Sequence, residues 1–286
     1  MHLSDRQDVE IELLIRALQR CHGYDFSQYS VASFKRRVQS LVIHCGARSV
    51  SEVTERVIHE EGFVNEAVMR LSVPVSEMFR DPGIFNTLRK EVLPVLASYP
   101  RIRIWQAGCA RGEEVYSMAI LLKEEGLYDR SQIFATDFND TALAYAQEGV
   151  YSLKEAKQYA ENYQKAGGRG SFSDYFHARY ERIKLNDDLK KNITFANHNL
   201  VSDGVFSEVQ LILCRNVLIY FADPLKERVL KLLRDSLVRS GFLCLGNRES
   251  IQFSSVGAEF SEVSNASRIY RLNPQKQVDN LTERAK

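Results

Sequence analysis

Apolar positions recur at helical spacing through the first third of the chain. Val9, Ile11, Leu14, Ile15 and Leu18 make one run. Val31, Phe34, Val38, Leu41 and Val42 make a second, stopped by Gly46. Ser51, Val53, Val57 and Ile58 predict a third helix that ends at Gly62. Asp81-Pro82 sets a capping carboxylate before a proline suited to a first turn, and predicts a helix through Leu88 and Val92. No strand pattern interrupts this stretch, so residues 1–97 are expected to form a small all-α N-terminal domain with its linker.

The texture changes at Tyr99-Pro100. Ile102 to Ala107 reads as a buried strand, followed at once by glycines and a helix carrying Val115, Met118, Ala119 and Leu122. A second strand, Gln132 to Asp137, and a helix, Thr141 to Gln147, come next. Further strands are predicted at Glu208 to Cys214, Phe242 to Leu245 and Arg268 to Leu272, with a helix from Pro224 to Val238. Strand–helix–strand alternation implies a parallel sheet with right-handed crossovers, hence an α/β domain over residues 98–273. A stretch at 151–192 is too long for bare loop and is expected to be a small β insertion subdomain. Its hairpin is read as Tyr180 to Leu185 with Ile193 to Ala196, around Asn186-Asp187-Asp188. Residues 274–286 are polar and expected to be a frayed tail.

Composition narrows the function more than the fold. The 286 residues carry 38 basic and 37 acidic side chains, so no global field favours nucleic acid or a membrane surface. No apolar run approaches the ~20 residues needed to span a bilayer, and the first residues lack a signal-peptide pattern. The five cysteines are scattered without C-x-x-C spacing, and the six histidines show no H-E-x-x-H pattern. A reducing cytoplasm and no metal are therefore expected, and the chain is expected to be a monomer. On the second helix Lys35, Arg36 and Arg37, with no acidic residue from 31 to 50, predict a basic stripe opposite the apolar face. It is either a solvated face or a docking surface for an acidic partner. Nucleic acid is disfavoured, because no aromatic residues interleave with the charge.

The candidate chemistry centres on Ala107-Gly108-Cys109-Ala110-Arg111-Gly112-Glu113-Glu114, directly after a strand and opening a helix. Glycines there permit a tight turn and close approach of a ligand to the backbone. Asp137, ending the next strand, is placed to hold ribose hydroxyls. Carboxylates at the helix start would repel a pyrophosphate but can accept from a cationic ligand without phosphates. Glu114 can equally serve only the helix dipole, and Arg111 can pair with Glu113 or reach the ligand. Cys109 and Cys214 lack a base partner and read as packing residues.

Met78-Phe79-Arg80-Asp81, the turn 105–117, Ala135-Thr136-Asp137, Asn199-Leu200 and Cys214-Arg215-Asn216-Val217-Leu218-Ile219-Tyr220-Phe221 occur in the order of the CheR methyltransferase motifs. The chain resembles that family over about residues 8–272. The resemblance implies a helical domain followed by a Rossmann-like, S-adenosylmethionine-dependent methyltransferase domain with a β-rich insertion. It implies that Ser76 and Arg80 line the donor and substrate site, and that Glu113 and Asp137, beside Gly108, hold the donor's amino-acid and ribose parts. Asn199, Leu200, Asn216 and Val217 would surround the adenine and donor chain, and Tyr220 would face the reacting centre. The implied reaction esterifies glutamate side chains on the cytoplasmic helical region of chemoreceptors, with S-adenosylhomocysteine as product. Arg80 and Tyr220 would be catalytic, while Lys35, Arg36 and Arg37 would dock the substrate.

A solvent-exposed glutamate is ionised at neutral pH, so this chemistry needs no general base. The sequence departs from the family at Pro74-Val75-Ser76, at Arg111 and at Gly246 to Ser250. It also lacks the Gly-rich insertion loop of members that dock a receptor tether peptide, so tether-independent action is expected. Rival readings are a methyltransferase with another protein or small-molecule acceptor, and a non-catalytic module that binds S-adenosylmethionine. A nicotinamide dehydrogenase is the weakest rival, since no hydride-acceptor histidine is evident.

Overall fold

The computed structural model describes residues 3–72, 76–205, 207–263 and 267–274. The Pro74-Val75 departure and nearly all of the expected tail lie outside the described residues. Two compact units divide the chain: residues 1–74 with 220–226, and residues 75–219 with 227–286.

The first unit is built from α1 (Leu3–His22), α2 (Val31–His44), α3 (Val50–His59) and α4 (Phe63–Ser72). Leu14, Leu18, Phe34, Val38, Leu41, Val53 and Val57 are fully buried, as their spacing requires. Ser49 caps α3 by accepting from the Glu52 amide. The α4 helix, missed as a separate element, buries Phe63, Ala67, Val68 and Leu71. Residues 220–226 complete this unit. The Tyr220 carbonyl accepts from the Ser30 amide at 2.8 Å, and the Ala222 amide donates to Gln28 at 2.9 Å. Phe221 meets Tyr29 edge to face at 5.2 Å between ring centroids.

In the second unit, α5 (Pro82–Thr87), a π-helical turn (Leu88–Val92) and α6 (Leu93–Leu96) precede β1 (Ile102–Ala107) and α7 (Glu113–Glu124). Next come β2 (Ser131–Asp137), α8 (Asp140–Glu148), β3 (Val150–Ser152), α9 (Leu153–Lys165), β4 (Phe176–Arg179), β5 (Arg182–Leu185) and β6 (Ile193–Asn197). The chain closes with β7 (Val209–Cys214), α10 (Asp223–Asp235, which starts within the first unit's residues), β8 (Leu237–Leu245), β9 (Phe260–Glu262) and β10 (Ile269–Leu272). The main sheet has the order β6-β2-β1-β7-β8-β10-β9. Its first five strands run parallel, whereas β10 is antiparallel to both β8 and β9. This is a Rossmann-like α/β sheet.

Residues 78–96, grouped by periodicity with the N-terminal helices, pack into the core of the second unit. Met78, Phe79, Phe85, Leu88 and Val92 join one buried cluster with Ile104, Met118 and Ile133. Helical spacing reveals an apolar face but not which core receives it.

The insertion needs a second correction. Its three-stranded sheet has the order β3-β5-β4, and the hairpin turns at Tyr180-Glu181, not at Asn186-Asp187-Asp188. Both turn residues have positive φ, 48° and 56°, as a two-residue turn matched to strand twist demands. Residues 193–197 instead extend the main sheet, with Ile133 opposite Ile193 and Asp137 opposite Asn197. A local run of alternating residues names a strand without naming its partner.

Candidate active site

In an open parallel sheet, ligands bind beyond the carboxyl ends of the strands where the strand order reverses. Here that place lies between β1 and β7, because the chain runs outward from β1 to β2 and β6, and from β7 to β8. The residues singled out in the sequence at these strand ends meet there. Gly108 follows β1 with φ +72°, and a Cβ on it would lie 2.6 Å from Val217 Cγ2. The Gly108 and Cys109 amides both donate to the Thr136 carbonyl at 2.9 Å, which folds the turn back over β2. Gly112 caps α7 with φ +86°, where a Cβ would meet Ala146 at 2.9 Å. At both positions the positive φ and the close neighbour leave room for glycine alone.

Asp137 is buried and stitches this turn to the next helix. Its Oδ2 accepts from the Ala110 amide at 2.9 Å and its Oδ1 from the Asn139 amide at 3.0 Å. Burial raises its pKa, opposed by those backbone donors. The lone pairs left over on two carboxylate oxygens suit a diol. Asn199 and Leu200 follow β6, next to His198, whose amide donates to the Asp137 carbonyl at 3.2 Å. The Asn199 side chain accepts from the Val201 amide at 2.9 Å, and Leu200 is buried.

Glu113 is 2% exposed, and its Oε2 has no hydrogen-bond partner among the described residues. Burial pushes its pKa up to about 7, opposed by its own backbone amide and by Arg111 nearby. A buried carboxylate oxygen left unpaired costs about 1–3 kcal/mol or more, so its placement suits a ligand that brings a hydrogen-bond donor. Arg111 forms no ion pair with Glu113; its guanidinium lies 5.4 Å from the Tyr145 ring centroid, and its Nε is buried with no hydrogen-bond partner among the described residues. A glycine-lined turn, a diol-capable carboxylate and an unsatisfied buried carboxylate fit an adenosyl group bearing a cationic amino-acid tail.

The two glutamates of the turn separate in role. Glu114 accepts from Gln106 Nε2 at 2.6 Å and pairs with Arg215, whose side chain is 1% exposed. Arg215 also donates to Asp81 Oδ2 at 2.7 Å and to the Arg80 carbonyl at 3.2 Å. Phe79 and Asp81 both have positive φ, 53° and 56°, so Arg80 sits between two strained residues that the Arg215 fork and the Ser117 hydroxyl hold. The Arg80 guanidinium forms no ion pair among the described residues, and Asp81 is engaged by Arg215. Ser76 is half-buried four residues earlier.

A second support escaped the sequence reading. Glu249 accepts from the amides of Asn216 at 2.8 Å, Ile219 at 3.2 Å and Gly246 at 2.6 Å. It thereby fixes Asn216 at φ 60° beside Val217. The signal was a carboxylate three residues after the glycine that ends a buried strand, where only backbone donors await it. Cys109, Cys214 and Cys244 are buried at the ends of β1, β7 and β8. Burial pushes the first two thiols well up and Cys244 up to about 12, which fits packing, not nucleophilic chemistry.

Tyr220, Lys35, Arg36 and Arg37 belong to the first unit. There the expected basic stripe breaks at Arg37, which is 8% exposed and shares the buried face of α2 with Phe34, Val38 and Leu41. Arg36 is exposed, and Lys35 pairs with Asp8. Positions 34, 37, 38 and 41 are one helical face, so the spacing itself put Arg37 inside. Among the described residues no group of three or more His, Cys, Asp or Glu side chains could hold a metal ion, and no helix is long and apolar enough to cross a membrane.

Residues 74–268 match the family model described as "CheR methyltransferase, SAM binding domain". A Pseudomonas putida relative named Cher3 is 47% identical over 264 residues, covering 92% of this chain and 97% of its own. A chemotaxis protein methyltransferase of Listeria innocua is 29% identical over 82% of this chain and 88% of its own. Chemotaxis protein methyltransferase 1 of Vibrio cholerae is 31% identical over 79% of this chain and 82% of its own. With a family model spanning most of its length and these relatives beside it, the chain belongs to the CheR family of S-adenosylmethionine-dependent methyltransferases.

Proposed function

We propose that the protein esterifies glutamate side chains in the cytoplasmic helical region of a chemoreceptor-like partner. The family supports the donor, and the names of the Listeria and Vibrio relatives support the setting. The observation that carries the acceptor is Arg80, whose guanidinium has no ion-pair partner among the described residues and whose backbone is held through the Arg215 fork, which also pairs with Glu114 of the donor turn. When bound, S-adenosylmethionine supplies a methyl group on a sulfonium, open to attack by a carboxylate.

The chain's own residues then bind, orient and exclude water. Glu113 accepts from the donor's ammonium, Asp137 from its ribose, and Gly108 with Val217, Asn216, Asn199 and Leu200 encloses the rest. Arg80 presents a planar pair of N–H donors that fixes an incoming carboxylate in line. Tyr220, through its hydroxyl, is the second catalytic residue of this reading. No residue has to remove a proton, because the acceptor glutamate is already ionised; alignment and desolvation of the ion pair supply the rate. Exposed Arg36, with Lys35 beside it in its pair with Asp8, meets acidic receptor helices, in the cytoplasm, with the chain a monomer. The two-residue turn at Tyr180-Glu181 leaves the insertion hairpin without a Gly-rich loop, in keeping with action that needs no tether peptide.

The test is transfer of labelled methyl from S-adenosylmethionine to receptor cytoplasmic fragments, with and without their C-terminal peptide. Saturable label released as methanol by alkali, at equal rates on both fragments, is the expected result. Alkali-stable label, or S-adenosylhomocysteine binding with no transfer, assigns another acceptor or a donor sensor. Arg80→Ala should remove most transfer, a fall of about 100-fold or more, with S-adenosylhomocysteine affinity largely kept.

A further inference from the structure

Arg37 is out of place for a docking residue and well placed for another task. Its Nη1 donates to the Leu71 carbonyl at 2.6 Å and its Nη2 to the Ser33 hydroxyl at 3.0 Å. These two bonds fix the plane of the guanidinium, which lies 3.9 Å from the centroid of the Tyr220 ring. The Tyr220 main chain is held as well, since its carbonyl accepts from the Ser30 amide at 2.8 Å. The tyrosine is thus gripped on its backbone and on one ring face, while its hydroxyl makes no hydrogen bond among the described residues. A cation on an aromatic face contributes about 0.5–2 kcal/mol, and more as water is excluded.

We propose that Arg37 is a positioning residue, which fixes the plane of the Tyr220 ring and acts on turnover only through that tyrosine. The inference rests on the reading of Tyr220 given above. It reassigns Arg37 from partner docking to catalysis through Tyr220, and leaves docking on this helix to Arg36 and Lys35. Stacking needs a flat cation and the two anchors need a fork. Lysine offers neither, so Arg37→Lys retains charge but loses the grip.

The test compares Arg37→Lys, Arg37→Met, Tyr220→Phe and the Arg37→Lys/Tyr220→Phe double variant in the full chain. Rates are normalised to the fraction that binds S-adenosylhomocysteine, which removes any loss of folded protein. Expected for Arg37→Lys is a fall in kcat of about 10- to 100-fold, with receptor KM and its salt dependence unchanged. In the Tyr220→Phe background the same change should have little further effect, because the group it positions is gone.

Raised KM with a flattened salt dependence would return Arg37 to docking and overturn the proposal. Equal losses in both backgrounds would make it a residue of general stability and also overturn it. Full activity in Tyr220→Phe would reject the reading of Tyr220 itself. Loss in Tyr220→Phe with none in either Arg37 variant would reject only the positioning role.

Discussion

Glu113 carries a carboxyl group that folding has moved into neutral pH. With its pKa near 7, a cationic donor tail ionises it on binding, so affinity should be full above about pH 7 and fall as pH drops through that value. Isothermal titration with S-adenosylhomocysteine between pH 5.5 and 8.5, in buffers of different ionisation heat, should show proton release that Glu113→Gln abolishes. In the free protein the sign is opposite. From about pH 4.5 to 7 the folded chain holds a proton that the unfolded chain has lost, so this group's contribution to stability declines as pH rises. Gly108→Ala should cost at least ~1 kcal/mol, since it combines a positive φ with a Cβ 2.6 Å from Val217, and should weaken donor binding. Differential scanning fluorimetry with and without S-adenosylhomocysteine checks both. Gly108, Glu113 and Asp137 were legible because turn chemistry is local. Glu249 and Arg215 were not, since their partners lie 33 and 101 residues away in sequence.

At the scale of elements, one buried arginine ties the end of β7 to the start of α7 and to the strained segment before α5. Removing one partner of a buried ion pair leaves the other charges unpaired, at about 3–5 kcal/mol. Arg215→Met should therefore lower the urea midpoint strongly, and Asp81→Asn less so, because Asp81 is partly exposed. Asp81→Asn should still reduce kcat while leaving S-adenosylhomocysteine affinity near wild type, since it loosens only the Arg80 side of the network. Elements themselves were largely readable: five of the main-sheet strands and the helices between them followed from apolar runs and helical spacing, whereas the one cap read from sequence, Asp81, makes no capping bond and engages Arg215 instead. Pairing was not. The strand at 193–197 looked like half of a hairpin because both candidates were short and flanked by Asn and Asp. Only the three-dimensional edge of β2 decides that it joins the main sheet.

For the whole molecule, the helical unit is not a contiguous stretch of chain. Tyr220, Phe221 and Ala222 return to it long after residue 74, and Phe221 is buried against Tyr29. Phe221→Ala should cost about 3–5 kcal/mol, measured by urea unfolding, despite lying far in sequence from the helices it supports. Near-zero net charge left the charge pattern of α2 as the sequence's sign of a docking face, and the structure splits that pattern between its two faces. Arg36 is free to meet solvent, whereas Arg37 obeys the helical period of its apolar neighbours.

The five thiols give the protein a built-in gauge of its own integrity. Cys21 is exposed and Cys45 half-buried, while the three at the strand ends are sealed and hard to ionise. A maleimide should therefore modify Cys21 quickly, Cys45 slowly, and the remaining three only when the sheet opens. The rate at which that last trio reacts counts the opening events of the donor-binding layer. Bound S-adenosylhomocysteine should slow it in proportion to its occupancy, without any probe being added to the site.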